Sequence, residues 1–170
     1  AQDLRAYLLT LGYLLAGSAQ NMEGMIRHLA GRYAGALAGE APLPREYPET
    51  AMYHPHAPGR IVERLEDLPR TEQPKGRVGL LLMRSYVLSG DTGHYDGVIA
   101  AMEAQGLDVV PAYACGLDSR PAVERFFRDA SGKAGVDAIV SLTGFSLVGG
   151  PAYNDADAAV ELLASLNVPY

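Results

Sequence analysis

Arg84, Asp91, His94 and Asp96 lie within one short stretch, and each is a side chain that can do chemistry. Two carboxylates and an imidazole supply the oxygen and nitrogen donors that a divalent ion takes, and an imidazole also moves protons near neutral pH. The Arg84 guanidinium can grip a carboxylate through two parallel hydrogen bonds. A plainer role stays open for Asp91 and Asp96, which could cap the helix entering at His94, because acceptors there satisfy its free N–H groups.

A second stretch, Thr143 to Asp155, is apolar and rich in glycine. Its Gly149-Gly-Pro151 lets the backbone pass close to a flat ligand or to another chain segment. It lacks the Gly-Lys-Ser/Thr ending of a phosphate-cradling loop, and neither stretch carries a dinucleotide fingerprint, so nucleotide binding is not expected here. Both stretches run to about a dozen residues, against the roughly two to six usual between a strand and a helix, and such length marks function. His54-Pro-His56 brings two imidazoles together, but no acidic residue lies within a few positions and the proline holds an extended geometry, so a metal site is not expected. Cys115 follows an apolar run and reads as a half-buried filler. As the single cysteine it excludes an internal disulfide and a cysteine-based zinc site.

Three segments must position these residues. Residues 1–37 read as a helical hairpin: Leu4, Leu8, Leu11, Leu14 and Leu15 share one helical face, Gly17-Ser18 breaks the helix, and Ser18 caps a second helix whose stripe is Met22, Met25, Ile26, Leu29 and Tyr33. Residues 38–76 hold seven of the eleven prolines and read as a Pro-rich connector in which only Arg60 to Leu68 could form a short helix. Residues 77–170 alternate strand and helix: strands at Val78–Met83, Leu107–Ala112 and Val136–Leu142, helices at Tyr95–Gln105, after Pro121, and after a cap at Asn154 or Asp155. Strands joined by single helices predict an α/β fold, a partial doubly wound parallel sheet. In such sheets ligands bind beyond the carboxyl ends of the strands, where both long stretches fall.

The 170 residues suffice for one domain plus a helical piece, and 48% hydrophobic with 20% charged residues describes a folded chain. A net charge of −6 argues against a nucleic-acid or anionic-membrane surface. No apolar stretch reaches the roughly 20 residues of a spanning helix. The chain starts at Ala1 inside a helical pattern and stops at Val168-Pro-Tyr170, where a fourth strand opens, so an excised or partial piece of a longer protein is expected.

The strings Gly79 to Asp96 and Val140 to Asp155 resemble the magnesium chelatase large subunit, nearest to the bacteriochlorophyll-pathway type. Pro111 to Asp118, Ala1 to Tyr7 and Tyr47 to Pro55 resemble it too, so the likeness covers nearly the whole chain. The large subunit of cobaltochelatase is related and follows the same plan, but Leu142 to Gly150 favours the magnesium branch. The resemblance implies a subunit that binds protoporphyrin IX and receives Mg2+, with ATP hydrolysed by partner AAA+ motor subunits and not by this segment. It implies a place in the cytoplasm or at the periphery of photosynthetic membranes. A porphyrin needs a flat apolar slot and cationic anchors, which makes Arg84, Tyr86, Phe145 and Leu147 the expected substrate-binding residues. Mg2+ favours carboxylate oxygens, so Asp91 and Asp96 are the expected metal residues, and His94 the group that takes pyrrole protons. A purely structural or subunit-interaction role, with no ligand contact, is the alternative.

Overall fold

The computed structural model describes residues 2–35, 41–149 and 155–170. The chain forms two compact units, Ala1–Pro48 with Ser85–Asp91, and Glu49–Arg84 with Thr92–Tyr170.

In the first unit, α1 (Gln2–Ala16) ends where Gly17 takes a left-handed φ of 63°, a conformation open to glycine at no steric cost. Ser18 then caps α2 (Ala19–Leu29), its Oγ accepting from Asn21 N at 3.1 Å. The helix runs on through one π turn, Ala30–Ala34, and stops at Gly35. The two helices meet through Tyr13 and Gly24: a Cβ on Gly24 would come within 2.8 Å of the Tyr13 ring. Asn21 pins the extended segment that follows, donating to Arg45 O and accepting from Arg45 N, both at 2.8 Å. The leucine stripe of α1 exists as expected, yet it faces outward. Leu4 is 63% exposed and Leu15 72%, with Tyr7, Leu8 and Leu14 also exposed, while the contact side is made by Ala6 and Tyr13. The buried Tyr13 ring fills the space that Gly24 leaves open, so the sequence stripe and the packed face differ.

The second unit is built on a five-stranded sheet in the order β2-β1-β4-β3-β5. β1 (Thr50–Tyr53) and β2 (Ile61–Val62) come from the Pro-rich segment, where no strand is expected from sequence. The short helix expected over Arg60 to Leu68 is instead β2 followed by a single 3-10 turn at Leu65–Asp67, which Leu68 leaves in extended conformation before Pro69. β3 (Gly76–Met83) leads into a short helix α3 (Arg84–Ser89), then α4 (Gly93–Ala104) returns to β4 (Leu107–Ala114). α5 (Arg120–Phe126) starts with Pro121 in its first turn and leads to β5 (Ala138–Ser141), and α6 (Ala156–Leu166) follows. β3 pairs in parallel with both β4 and β5, whereas β1 joins β4 antiparallel. The α/β class and the parallel centre of the sheet agree with the sequence reading; the antiparallel extension is new.

Strand alternation separates two faces. Leu81, Val110, Ala112 and Ala114 join Ala122, Val123 and Phe126 of α5 and Ala159, Leu162 and Leu166 of α6 in one apolar core. Leu80, Leu82, Val109 and Tyr113 face the other way, the side of α4 with its buried Tyr95 and Ile99. The sheet is therefore covered by helices on both faces, as a doubly wound unit requires. Among the described residues, no helix is long and apolar enough to cross a membrane.

Gly79 carries the tightest contact of this core. A Cβ there would lie 2.7 Å from the Phe127 ring, which rests directly on the strand backbone. Gly79→Ala is expected to destabilise the protein by about 1–3 kcal/mol through overpacking, read as a lower urea midpoint with an unchanged slope.

Candidate functional site

The connection from β3 departs toward β4, and the chain then crosses back so that β5 lands on the other side of β3. This reversal puts the topological switch point between β3 and β5, where open parallel sheets form their ligand crevice. The pairing lasts to the end of β5, with Leu142 N–H donating to Leu81 C=O at 2.9 Å, and β3 continues to Met83. Arg84 follows β3 directly, and Thr143 to Gly149 follow β5.

The first stretch is not one loop. Arg84 belongs to the sheet unit and opens α3, whereas Tyr86 and Asp91 belong to the helical unit. Tyr86 is 44% exposed, and Asp91 is exposed, its N–H donating to Tyr86 O at 3.1 Å. His94 sits exposed in the first turn of α4, its ring 3.9 Å from that of Tyr95. The Tyr95 hydroxyl in turn accepts from Met83 N at 3.0 Å, which ties the helix start to the end of β3. Neither aspartate sits at the N-cap of α4; Thr92 does, and its side chain makes no capping hydrogen bond.

Asp96 is engaged on both oxygens. Oδ1 accepts from the Tyr53 hydroxyl at 2.6 Å, and Oδ2 accepts from Arg60 at 3.1 Å and from Thr92 Oγ1 at 3.4 Å. Arg60 also donates to the Tyr53 hydroxyl and lies 5.2 Å from that ring's centroid. Burial, with the Asp96 hydrogen bond second, pushes the Tyr53 phenol above its ordinary value. Sequence spacing gives no hint of this network, since Arg60 and Asp96 are far apart in the chain. His54 is another buried link: 1% exposed, it accepts from His56 N through Nδ1 at 3.2 Å, so its proton resides on Nε2, 3.0 Å from Glu103 Oε1. The His-Pro-His pair thus fastens the β1–β2 turn to α4. Among the described residues, no three His, Cys, Asp or Glu side chains group as a metal site.

In the second stretch, Leu147 is 1% exposed and part of the core, so its side chain offers no surface to a ligand. Phe145 is half-buried, its ring packed on Gly149, where a Cβ would approach to 2.7 Å. Thr143 Oγ1 bonds Ser141 Oγ at 2.9 Å and donates to Phe145 O at 3.0 Å, which shapes the turn. The stretch is stitched to the loop after β4: Ser119 N–H donates to Leu147 O at 2.9 Å and Gly149 N–H to Leu117 O at 2.8 Å. Gly150, Pro151 and Asn154 lie outside the described residues. Cys115, expected half-buried, is exposed because it follows the last residue of β4.

A charged clamp secures this corner. Arg120 grips Asp118 with three hydrogen bonds of 2.8 to 3.1 Å and reaches Asp155 Oδ2 at 2.9 Å. Asp155 meanwhile caps α6 through Ala158 N, as its position before an apolar run predicts. The Arg120 hydrogen bonds hold both carboxyls below the usual carboxylate value and raise the guanidinium still further above neutrality.

A family model described as CobN/Magnesium Chelatase matches residues 11–170. The chain belongs to the CobN/magnesium chelatase family. It is 54% identical to the magnesium-chelatase H-subunit of Cereibacter sphaeroides and 51% identical to that of Rhodobacter capsulatus, over all of this chain and 14% of each relative. The chloroplastic magnesium-chelatase protein ChlH from Oryza sativa is 39% identical over all of this chain and 13% of its own length. The chain therefore spans about one-seventh of these chelatase subunits. The catalytic subunit of cobaltochelatase from Mycobacterium tuberculosis shares the fold, with a TM-score of 0.62 at 23% identity over 96% of this chain and 13% of that one. The magnesium branch of the family, expected from 142–150, is the one its high-identity relatives carry.

Both clamp carboxyls titrate below their ordinary value when folded, so their contribution to stability is complete above the unfolded-state value of 3.8 and is lost as pH falls through the folded-state values. Arg120→Met should lower the melting temperature near pH 7, and the gap from wild type should narrow as the pH falls below 3.8. Thermal unfolding of both proteins across that range checks it.

Proposed function

We propose that this chain is a segment of the porphyrin-binding subunit of a magnesium chelatase, the enzyme that inserts Mg2+ into protoporphyrin IX on the way to chlorophyll or bacteriochlorophyll. The observation that carries the reading is 54% identity along the whole chain to a magnesium-chelatase H-subunit. In this reading Mg2+ is the substrate metal, and ATP is hydrolysed by AAA+ partner subunits that act on the rest of a much longer polypeptide. The complex works in the cytoplasm or at the periphery of photosynthetic membranes.

The sheet unit supports a wall of the porphyrin cavity. Its switch point lies between β3 and β5, and the residues leaving those strands include a guanidinium, Arg84, and an aromatic ring, Phe145. A guanidinium suits a propionate and a ring face suits a macrocycle. His94, exposed at the start of α4, is the group we assign to proton removal from the pyrroles. Asp91, exposed, is the better of the two carboxylates for metal delivery, because Asp96 already serves Tyr53 and Arg60. The outward leucine face of α1 favours a second role for the helical unit, as a docking element inside the assembly.

Phe145→Ala in the full-length subunit should weaken porphyrin binding by about tenfold, the loss of one ring contact. His94→Ala and Asp91→Asn should leave porphyrin affinity near wild type and lower the chelation rate at least about tenfold. Fluorescence titration with protoporphyrin and a coupled chelation assay read the two separately. Wild-type values for all three variants would remove the cavity wall from this segment and leave the docking role.

A further inference from the structure

β5 is the last strand of the sheet on its side, and its outer edge is already partly engaged. Its inward amides are those of Val140 and Leu142, as the Leu142 N–H to Leu81 C=O bond and the two-residue period require. The amides of Ile139 and Ser141 therefore point outward. Ile139 N–H donates to Pro169 C=O at 2.8 Å, so the chain leaving α6 lies against that edge. Asn167, left-handed at φ 52°, turns the chain out of α6, and Val168 packs on the same core as the helix. A helix between β5 and this segment makes the crossover parallel.

One hydrogen bond does not make a strand, and none is formed at Val168 to Tyr170. The edge it begins to cover is uncharged, Ala138-Ile-Val-Ser141, with neither a lysine nor a proline to discourage pairing. Natural sheets protect such edges or pair them.

We infer that the outer edge of β5 takes a sixth strand, parallel to it, supplied by the polypeptide that follows Pro169 in the longer subunit. The register follows from the bond already present. Two residues beyond Pro169, one backbone N–H donates to Ile139 C=O, and the C=O of that same residue accepts the Ser141 N–H. The occupant is the chain's own continuation because α6 delivers it to the edge in register and because the relatives carry about six times more polypeptide than this chain. The inference needs only that continuation and does not depend on porphyrin binding. The new strand would open its own carboxyl-end loop beside Thr143–Gly149 and so widen the switch-point crevice on the β5 side.

Hydrogen exchange on the full-length protein tests it. The Ser141 amide should exchange at least about 100-fold more slowly than an open amide, in the range of the inward Val140 amide. Ser141→Pro removes the outward N–H together with the hydroxyl that bonds Thr143 Oγ1, and Ser141→Ala removes the hydroxyl alone, so the proline variant should melt well below the alanine variant and about as low as Val140→Pro. Rapid exchange at Ser141 with slow exchange at Val140, or a tolerated Ser141→Pro, would overturn the inference. Protection of Ser141 that fades on dilution would assign the edge to a second copy of the protein and overturn it equally.

Discussion

The close approach of the Phe127 ring to the bare backbone of Gly79 governs the sheet unit. β3 is the strand from which the parallel order is built, paired on both sides, and a side chain at Gly79 would hold the aromatic layer away from it. Phe127 follows the last residue of α5, so the depth of its ring sets the height of that helix over the sheet. The loop before α5 carries Leu117 and Ser119, which hold the glycine-rich stretch after β5 by two backbone hydrogen bonds. A contact in the middle of the core thus determines where the edge of the crevice lies.

The helix α4 is fixed differently, by polar groups. Tyr53, Arg60 and Thr92 converge on Asp96 near its start, and His54 meets Glu103 near its end. Arg60 adopts a left-handed φ of 64°, unfavourable for a residue with a side chain, and the bonds of its guanidinium offset that cost. The antiparallel strands β1 and β2 matter because they present Tyr53, His54 and Arg60 to this helix. They make the proline-rich segment part of the sheet unit.

The parallel strands and the helices between them were legible because continuous apolar runs and caps such as Asp155 are local signals. β1 was not: four residues between Pro48 and Pro55 are too short for a two-residue period to stand out, and their pairing partner is β4, distant in sequence. The outward leucines of α1 were misleading for a related reason, since periodicity reports a stripe and not which side is covered. At the candidate site, residue types drew attention to the stretches that leave β3 and β5. Only the folded chain shows that Asp96 is already satisfied, that Leu147 is core, and that Arg120 joins Asp118 to Asp155, because each depends on contacts between distant segments.

The strand order also dictates a sequence of events during folding. β1 pairs with β4, and Thr50 faces Ala114 across roughly sixty residues of chain. When β1 leaves the ribosome it has only the two-residue β2 for company, which is too little to persist alone. β3, α4 and β4 must assemble first, and the antiparallel pair then docks on the edge that β4 provides. The oldest part of the sheet in order of synthesis is therefore among the last to become structured, and the network around Asp96 closes only when it does.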